Sequence, residues 1–475
     1  MMKNTICLLG CYLLFSFQAV KAQYTWKKVV CGTEFTLALR SDSSIWTWGY
    51  NTYGQLGNGN TDELHYPKQI QHGKKWVDIA AGSLHALAID NEGYLWSWGF
   101  NYNGQCGDSS SIYYSSPIKI GNDKTWKQVD AGPAHTIAIK KDGSMWSWGY
   151  NQDGQLGLGH TLTKKFPQRI GIDNNWKYVS CGGGHNIALK TDNTLWAFGV
   201  NLTGQLGDST LMDKSIPTQI GKDNNWAEVS AGFEFSVAKK IDGSIWGWGI
   251  NGNGQLGLGN YIDALIPTQI GNNKNWKKII ASSVYTMAIN DSNELFGWGY
   301  NWYGNIGMNK NISPNVPTKI GTDKDWYDVA LAKGYSNNGF IVGFHTIGMK
   351  QNQKSFCVTG ANYSGPLGDS TTNHFQFFKC GVAFLKTPII SVENANDKTI
   401  SLKVFPNPNS GKFQVQLDRE GLKTMIIYNS LGQNIYNKQS YENTLSIEID
   451  NLTKGIYFIE LTSEGIVYKH KMIIQ

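Results

Sequence analysis

The chain repeats itself every 50 residues, and this beat commits it to a repeat architecture before any local reading begins. Trp26, Trp76, Trp126, Trp176, Trp226, Trp276 and Trp326 are each 50 residues apart. A second signature, Trp46-Thr-Trp-Gly-Tyr-Asn-Thr-Tyr-Gly-Gln-Leu-Gly57, returns as Trp96–Gly107, Trp146–Gly157, Trp196–Gly207 and Trp246–Gly257. A sixth copy starts with Phe296 and ends at Gly307, and a worn seventh spans Phe356–Gly368.

Within one unit, Trp146 and Trp148 stand two apart, which on a strand puts both indoles on one face. The residue between them is small in most copies: Thr47, Ser97, Ser147, Ala197, Gly247 and Gly297. One face therefore carries bulk and the other admits a close neighbour, as in a sheet packed between two others. Trp46, Trp96, Trp146 and Trp246 are expected to be buried between those sheets. His135-Thr-Ile-Ala-Ile-Lys140 also alternates, and Lys141-Asp-Gly-Ser144 between the two runs is a tight-hairpin signature. Trp126–Val129 and Phe166–Ile170 supply two more short strands. Four strands in 50 residues without helical periodicity describe one blade of a β-propeller. The Asn-x-x-Gly-Gln-Leu-Gly run is a loop whose Asn can bond its own backbone. It lacks the Lys and the following helix that a phosphate-binding loop requires.

Ala-Gly-x-x-His-x-x-Ala, Gly-x-x-Trp-x-Trp-Gly-x-Asn and Gly-Gln-Leu-Gly together resemble the regulator of chromosome condensation repeat. The resemblance covers residues 26 to about 381 and implies a seven-bladed β-propeller. The seventh unit departs from the pattern. Asn301 to Asn362 is 61 residues instead of 50, and Gly334–Lys354 has lost the small-residue pattern, so the sequence leaves open how the ring closes.

Residues 1–22 combine Lys3, an apolar run from Ile6 to Phe17 and the small-residue site Val20-Lys-Ala22. They read as a secretory signal peptide cleaved between Ala22 and Gln23. No other segment is apolar and long enough to span a membrane. The repeat stops near Lys386, residues 387–402 read as a linker, and 403–475 carry short strands separated by turn signals such as Thr453-Lys-Gly455. Val404-Phe-Pro-Asn-Pro408, Leu452-Thr-Lys-Gly-Ile-Tyr457 and the terminal Tyr468–Ile474 resemble the type A sorting domain of the bacterial type IX secretion system. The expected fold is therefore all-β: a seven-bladed propeller over 23–386 and a small β-sandwich over 403–475. The resemblance implies export by that machinery through residues 403–475, to the outer cell surface or beyond it.

Net charge is +6, and the basic residues are spread through the units, which does not describe a nucleic-acid interface. His85, His135 and His185 share one repeat position, but Phe35, Phe235 and Tyr285 occupy it in other units, so a ring is wanted there and not a metal ligand. Cys31 and Cys181 fill a position that is Ala elsewhere and read as small buried residues. Whether Cys357 and Cys380 pair is left open. The chain shows no Ser/His/Asp or Cys/His arrangement, no paired carboxylates outside the turns, and no zinc or cofactor motif.

These features favour a secreted or surface-anchored binding module, not an enzyme, with an extracellular protein or glycan as partner. A structural adhesion component, or an enzyme with its site in the propeller channel, is the alternative. The two residues after the repeat Asn vary while their framework does not, so their variation is not forced by the fold. Aromatics occur there in units six, seven, one and two: Trp302, Tyr303, Tyr363, Tyr53 and Tyr102. In a closed ring those units are neighbours, and the five side chains would form an arc on one rim that serves recognition.

Overall fold

Each 50-residue unit folds into four antiparallel strands joined in order by hairpins. In the third blade these are Trp126–Ala131, His135–Lys140, Met145–Gly149 and Lys164–Arg169. The hairpin between the second and third strands is set by local chemistry. Asp142 accepts the N–H and hydroxyl of Ser144 at 2.9 and 2.7 Å, and Gly143 takes a positive φ of 81°. A Cβ on Gly143 would meet the Asn174 carbonyl at 2.0 Å, so this glycine also permits the approach of the next blade.

The structure, a computed structural model, describes residues 24–70, 73–337, 340–352, 354–382, 402–406, 411–417, 423–429, 434–449, 452–463 and 466–474. The signal peptide expected over 1–22, its cleavage site at Ala22 and Gln23, and nearly all of the linker expected over 387–402 lie outside them. Two compact units divide between Phe384 and Leu385. The first holds seven four-stranded sheets, the blades of a propeller. The first strand of every blade lines a central channel.

Packing between blades depends on depth along the Trp-x-Trp strand. Trp148 is fully buried, and its Nε1 donates to the Gln105 carbonyl of the preceding blade at 2.9 Å. Trp98 and Trp248 repeat the bond to Gln55 and Gln205. The expectation that Trp146 and its equivalents carry the inter-blade burial is corrected here. Trp96 is buried, but Trp46, Trp146 and Trp246 are half-buried and lie edge-on to the first-strand tryptophan of their own blade. They are the second residues of their strands, beside the hairpin that opens each one. On the opposite face, Ser147 Oγ donates to the Leu156 carbonyl at 2.7 Å, which explains why only small residues fit between the indoles.

The seventh blade is built from Trp326–Leu331, His345–Lys350, Phe356–Gly360 and Phe375–Val382. Its additional residues form a small hairpin, Tyr335–Asn337 with Phe340–Val342, between the first and second strands. Among the described residues every propeller sheet is built from one continuous stretch of chain, and side-chain and loop contacts join the seventh blade to the first. The Pro366 carbonyl accepts Trp48 Nε1 at 2.7 Å and Thr36 Oγ1 at 3.0 Å, the same role that Gln105 plays inside the ring. Cys357 and Cys380 form a disulfide between the third and fourth strands of this blade.

The second unit is two sheets. One orders Lys403–Phe405, Lys412–Gln416 and Thr444–Glu448; the other orders Asn434–Ser440, Lys423–Tyr428, Gly455–Ser463 and Ile466–Ile474. Phe413, Val415, Leu445 and Ile447 from the first meet Met425, Ile427, Ile459 and Leu461 from the second in one apolar core.

Candidate functional site: the loop face of the propeller

The loop between the third and fourth strands is organised by its buried Asn. Asn151 accepts the Leu156 N–H at 2.8 Å and donates to the carbonyls of His160 and Leu162 at 2.8 and 3.1 Å. Gln155 accepts the Asp153 N–H at 3.0 Å. Asn51, Asn101, Asn201, Asn251, Asn301 and Asn362 hold their loops in the same way. In blades one to five the framework thus engages the main-chain N–H of the second residue after the Asn and does not dictate the side chain of either residue.

The structure places the five aromatic candidates in two groups. In blades six and seven, Trp302 lies parallel to Tyr300 at 6.1 Å, and Tyr300 packs on Phe344 at 5.2 Å. Phe344 stacks on Tyr303 at 5.0 Å, and Tyr303 meets Tyr363 edge-on at 6.2 Å, with His374 4.4 Å from Tyr363. In blades one and two, Tyr53 packs on Phe100 at 4.7 Å and Tyr102 stacks on Phe100 at 6.4 Å. Trp302, Tyr102 and Tyr363 are 71, 68 and 57 % exposed, whereas Tyr53 and Tyr303 are half-buried. Tyr53 and Tyr303 therefore support the rings that face solvent. Sequence reasoning missed Phe100, Tyr300, Phe344 and His374. The first two occupy the position before the Asn, where an aromatic is also present in blades one and three, and only the parallel stacking distinguishes them. Between the two groups, Ser364 Oγ donates to Glu34 at 3.0 Å, and burial raises the pKa of that carboxyl.

The central channel has a volume of about 280 Å³. Its charges face one another in pairs. Lys28 meets Asp78 at 2.6 Å, Lys239 meets Glu228 at 3.2 Å, and Lys278 pairs with Asp328. The chain leaving the first strand of blade seven crosses the channel mouth on the loop face. Lys333 reaches Asp130 of blade three at 2.6 Å, its carbonyl accepts Thr33 Oγ1 of blade one at 2.9 Å, and the Gly334 carbonyl accepts Ser83 Oγ of blade two at 3.0 Å. The residues that broke the repeat pattern are a clasp over three other blades.

The histidines are inter-blade pegs. His85, His135 and His185 bond Thr136, Asn186 and Ser236 of the following blade at 3.0, 2.9 and 2.9 Å. Thr136 and Ser236 each give their own hydroxyl proton to a Gln carbonyl, so Nε2 of His85 and of His185 carries the hydrogen. Burial lowers the pKa of His85 and His185 to about 3 and that of His135 to about 4. A Cβ on Gly132 would lie 2.3 Å from His135 Cε1, which accounts for the Gly three residues before each ring.

Against this geometry, residues 15–238 match the RCC1-like domain, and residues 226–255 and 242–289 each match a regulator of chromosome condensation (RCC1) repeat. Residues 403–475 match the secretion system C-terminal sorting domain. The chain is an RCC1-repeat propeller with a sorting tail. Human WBSCR16 aligns at 20 % identity over 71 % of this chain and 93 % of that one, with a TM-score of 0.63. Prp20p of Saccharomyces cerevisiae aligns at 19 % identity over 80 % of this chain and 90 % of that one, with a TM-score of 0.62. At these identities the likeness concerns the fold.

Two curated relatives match shorter pieces. An ulvan lyase of Nonlabens ulvanivorans is 30 % identical over 92 residues, 19 % of this chain and 17 % of the lyase. The human E3 ubiquitin-protein ligase HERC2 is 42 % identical over 50 residues, 10 % of this chain and 1 % of the ligase. The chain thus spans a small part of either relative. The sorting domain marks the RCC1-repeat propeller for type IX export to the cell surface or the extracellular space. Among the described residues no helix is long and apolar enough to cross a membrane.

Proposed function

We propose that this protein is an extracellular binding module whose recognition surface is the aromatic half of the loop face, formed by Tyr53, Tyr102, Trp302, Tyr303 and Tyr363. The domain plan that goes with it is a propeller over 23–386, a linker over 387–402 and a sorting domain over 403–475. The observation that carries the reading is the pre-stacking of exposed rings: Trp302 on Tyr300 and Tyr102 on Phe100. A ring held flat by a partner loses little freedom on binding and offers its outer face to a sugar or an apolar side chain. Among the described residues the channel carboxylates Asp78, Asp130, Glu228 and Asp328 are each engaged by a lysine, which favours a binding role over one as a free general acid or base.

The test is capture of ligands from host or community extracts by the purified protein, with ulvan and other polysaccharides offered as defined probes. Trp302→Ala combined with Tyr102→Ala should weaken the captured interaction by roughly 2 kcal/mol or more while the fold persists. Full affinity in that variant, together with a loss on changing Gln152 and Asp153, would move the site to the opposite half of the face.

A further inference from the structure

The same loops carry a second pattern that the aromatic rim does not use. Eleven residues after the repeat Asn of blades two to six stand Ile112, Leu162, Met212, Ile262 and Ile312. All five are exposed, by 52 to 72 %. The framework asks only for main chain at this position. The repeat Asn side chain donates to the carbonyls of Leu162, Met212, Ile262 and Ile312 at 2.9 to 3.2 Å, and the Asn101 N–H donates to that of Ile112 at 2.8 Å. In blade one the same need is met by the carbonyl of Asp62 at 2.9 Å, and the corresponding residue of blade seven is Asn373. The fold is therefore indifferent to the side chain, yet five successive blades place an aliphatic one in solvent.

A single exposed aliphatic residue needs no explanation, but five in register do. Equivalent positions in a ring of like blades lie at one height around the axis, so the five tips define an arc in one plane. Each is tied by hydrogen bonds to a buried Asn, so the plane is pre-formed.

We propose that this arc docks the propeller on a lipid surface, the tips entering the headgroup layer. A protein partner concentrates its contact on a central aromatic or Arg anchor. These tips are instead aliphatic, one per blade, and separated by polar residues such as Thr163, Asp213 and Ser313. A planar, deformable lipid layer accepts such a spaced row. Tyr113 and Tyr261 adjoin two of the tips and are exposed, the residue type that settles at a membrane interface. Asp213 and Asp263 are exposed but each has one carboxylate oxygen engaged by the N–H of a repeat Asn at 2.7 Å, and Lys165 and Lys310 are also exposed. The sorting domain brings the chain to a compartment where a lipid surface is at hand.

The experiment is co-sedimentation of the full chain with vesicles of phosphatidylethanolamine and phosphatidylglycerol, at low and at high salt. The parent protein should sediment with the vesicles at both, since apolar insertion is weakly screened. Leu162→Asp/Met212→Asp/Ile262→Asp should reduce partitioning about tenfold or more at an unchanged melting temperature. Should that variant melt early, Leu162→Ser/Met212→Ser/Ile262→Ser supplies the same reading. Trp302→Ala/Tyr102→Ala should leave vesicle binding intact, which separates this arc from the rim proposed for ligand recognition. A parent protein that stays in the supernatant overturns the proposal, as does a well-folded tip variant that sediments like the parent. If the tip variant loses self-association or a protein partner while the parent ignores vesicles, the arc is a protein interface and the lipid reading fails.

Discussion

Removing Trp148 should cost the propeller far more than removing Trp146, though the two differ by only two positions on one strand. Trp148 is fully buried and bridges two blades through Gln105, so Trp148→Ala leaves a cavity the fixed ring cannot collapse into, at about 3–5 kcal/mol. The Gln105 carbonyl keeps the Thr136 hydroxyl at 2.8 Å, so no fully orphaned acceptor adds to that loss. Trp146 is half-buried, donates to Ser144 within its own hairpin at 3.0 Å, and holds the Lys140 ammonium 3.7 Å above its ring. Trp146→Ala should cost only about 1–2 kcal/mol. Unfolding entropy of about 2.1 cal/mol/K per residue, over roughly 350 propeller residues, gives about 0.75 kcal/mol per degree. Trp148→Ala should then lower Tm by about 5 °C and Trp146→Ala by about 1–3 °C, read by differential scanning calorimetry. Trp148→Phe should lose about 1 kcal/mol, because Phe198 already fills this position in blade four. If both alanine variants melt together, the depth assignment along this strand is wrong.

Burial holds the imidazoles of His85, His185 and His345 near about 3 and that of His135 near about 4, below the ordinary 6.5. The unfolded chain gains these protons below about pH 6.5 and the folded chain does not. Stability is therefore full above that pH and falls toward pH 4, by up to about 1.4 kcal/mol per unit per histidine. His185→Phe copies Phe235 of the next blade and should flatten the slope of Tm between pH 7 and pH 5; an unaltered slope counts against the buried neutral ring. The Cys357–Cys380 bridge closes a separation of 23 residues, so Cys357→Ser/Cys380→Ser should lose about 3 kcal/mol, and reductant should lower the parent's melting temperature but not the variant's. Truncation after Lys386 should abolish delivery to the cell surface in the native host, and normal delivery would contradict the sorting assignment.

The strands, their hairpins and the seven-fold count were legible because each rests on chemistry repeated at a fixed spacing. A 50-residue period with Trp-x-Trp and Asp-Gly leaves one architecture, a ring of four-stranded blades packed sheet against sheet. The aromatic positions on the rim were legible for the converse reason, as variable side chains on an invariant frame. Depth along a strand was not legible: Trp146 and Trp148 share residue type, face and period, and only the neighbouring blade's Gln carbonyl tells them apart. The lysine ladder was also hidden. Lys140, Lys190 and Lys240 each lie over two indoles and meet Asp123, Asp173 and Asp223 at 2.6 to 2.7 Å, but in sequence they look like ordinary strand-end charges.

The seventh blade shows why the sequence pattern had to break where it did. Blades one to six each hand a Gln or Asn carbonyl and a motif loop to a successor that follows in the chain, so one template serves them all. Blade seven hands its loop to blade one, across the closure of the ring, and its own fourth strand is the last of the propeller. Among the described residues no strand from the start of the chain is borrowed to lock it. Three departures from the template meet that demand. Pro366 replaces Gln and stiffens the loop whose carbonyl takes Trp48 and Thr36. The Lys333 clasp ties blade seven to blades one, two and three on the loop face, so opening the seam requires breaking contacts on the far side of the ring. The disulfide fixes the terminal strand at Cys380, two residues before that strand ends at Val382. A pull on the C-terminal end of this strand would meet the Phe356–Val382 pairing first and then the cross-link, which shields the pairings at Val358 and Gly360 behind it.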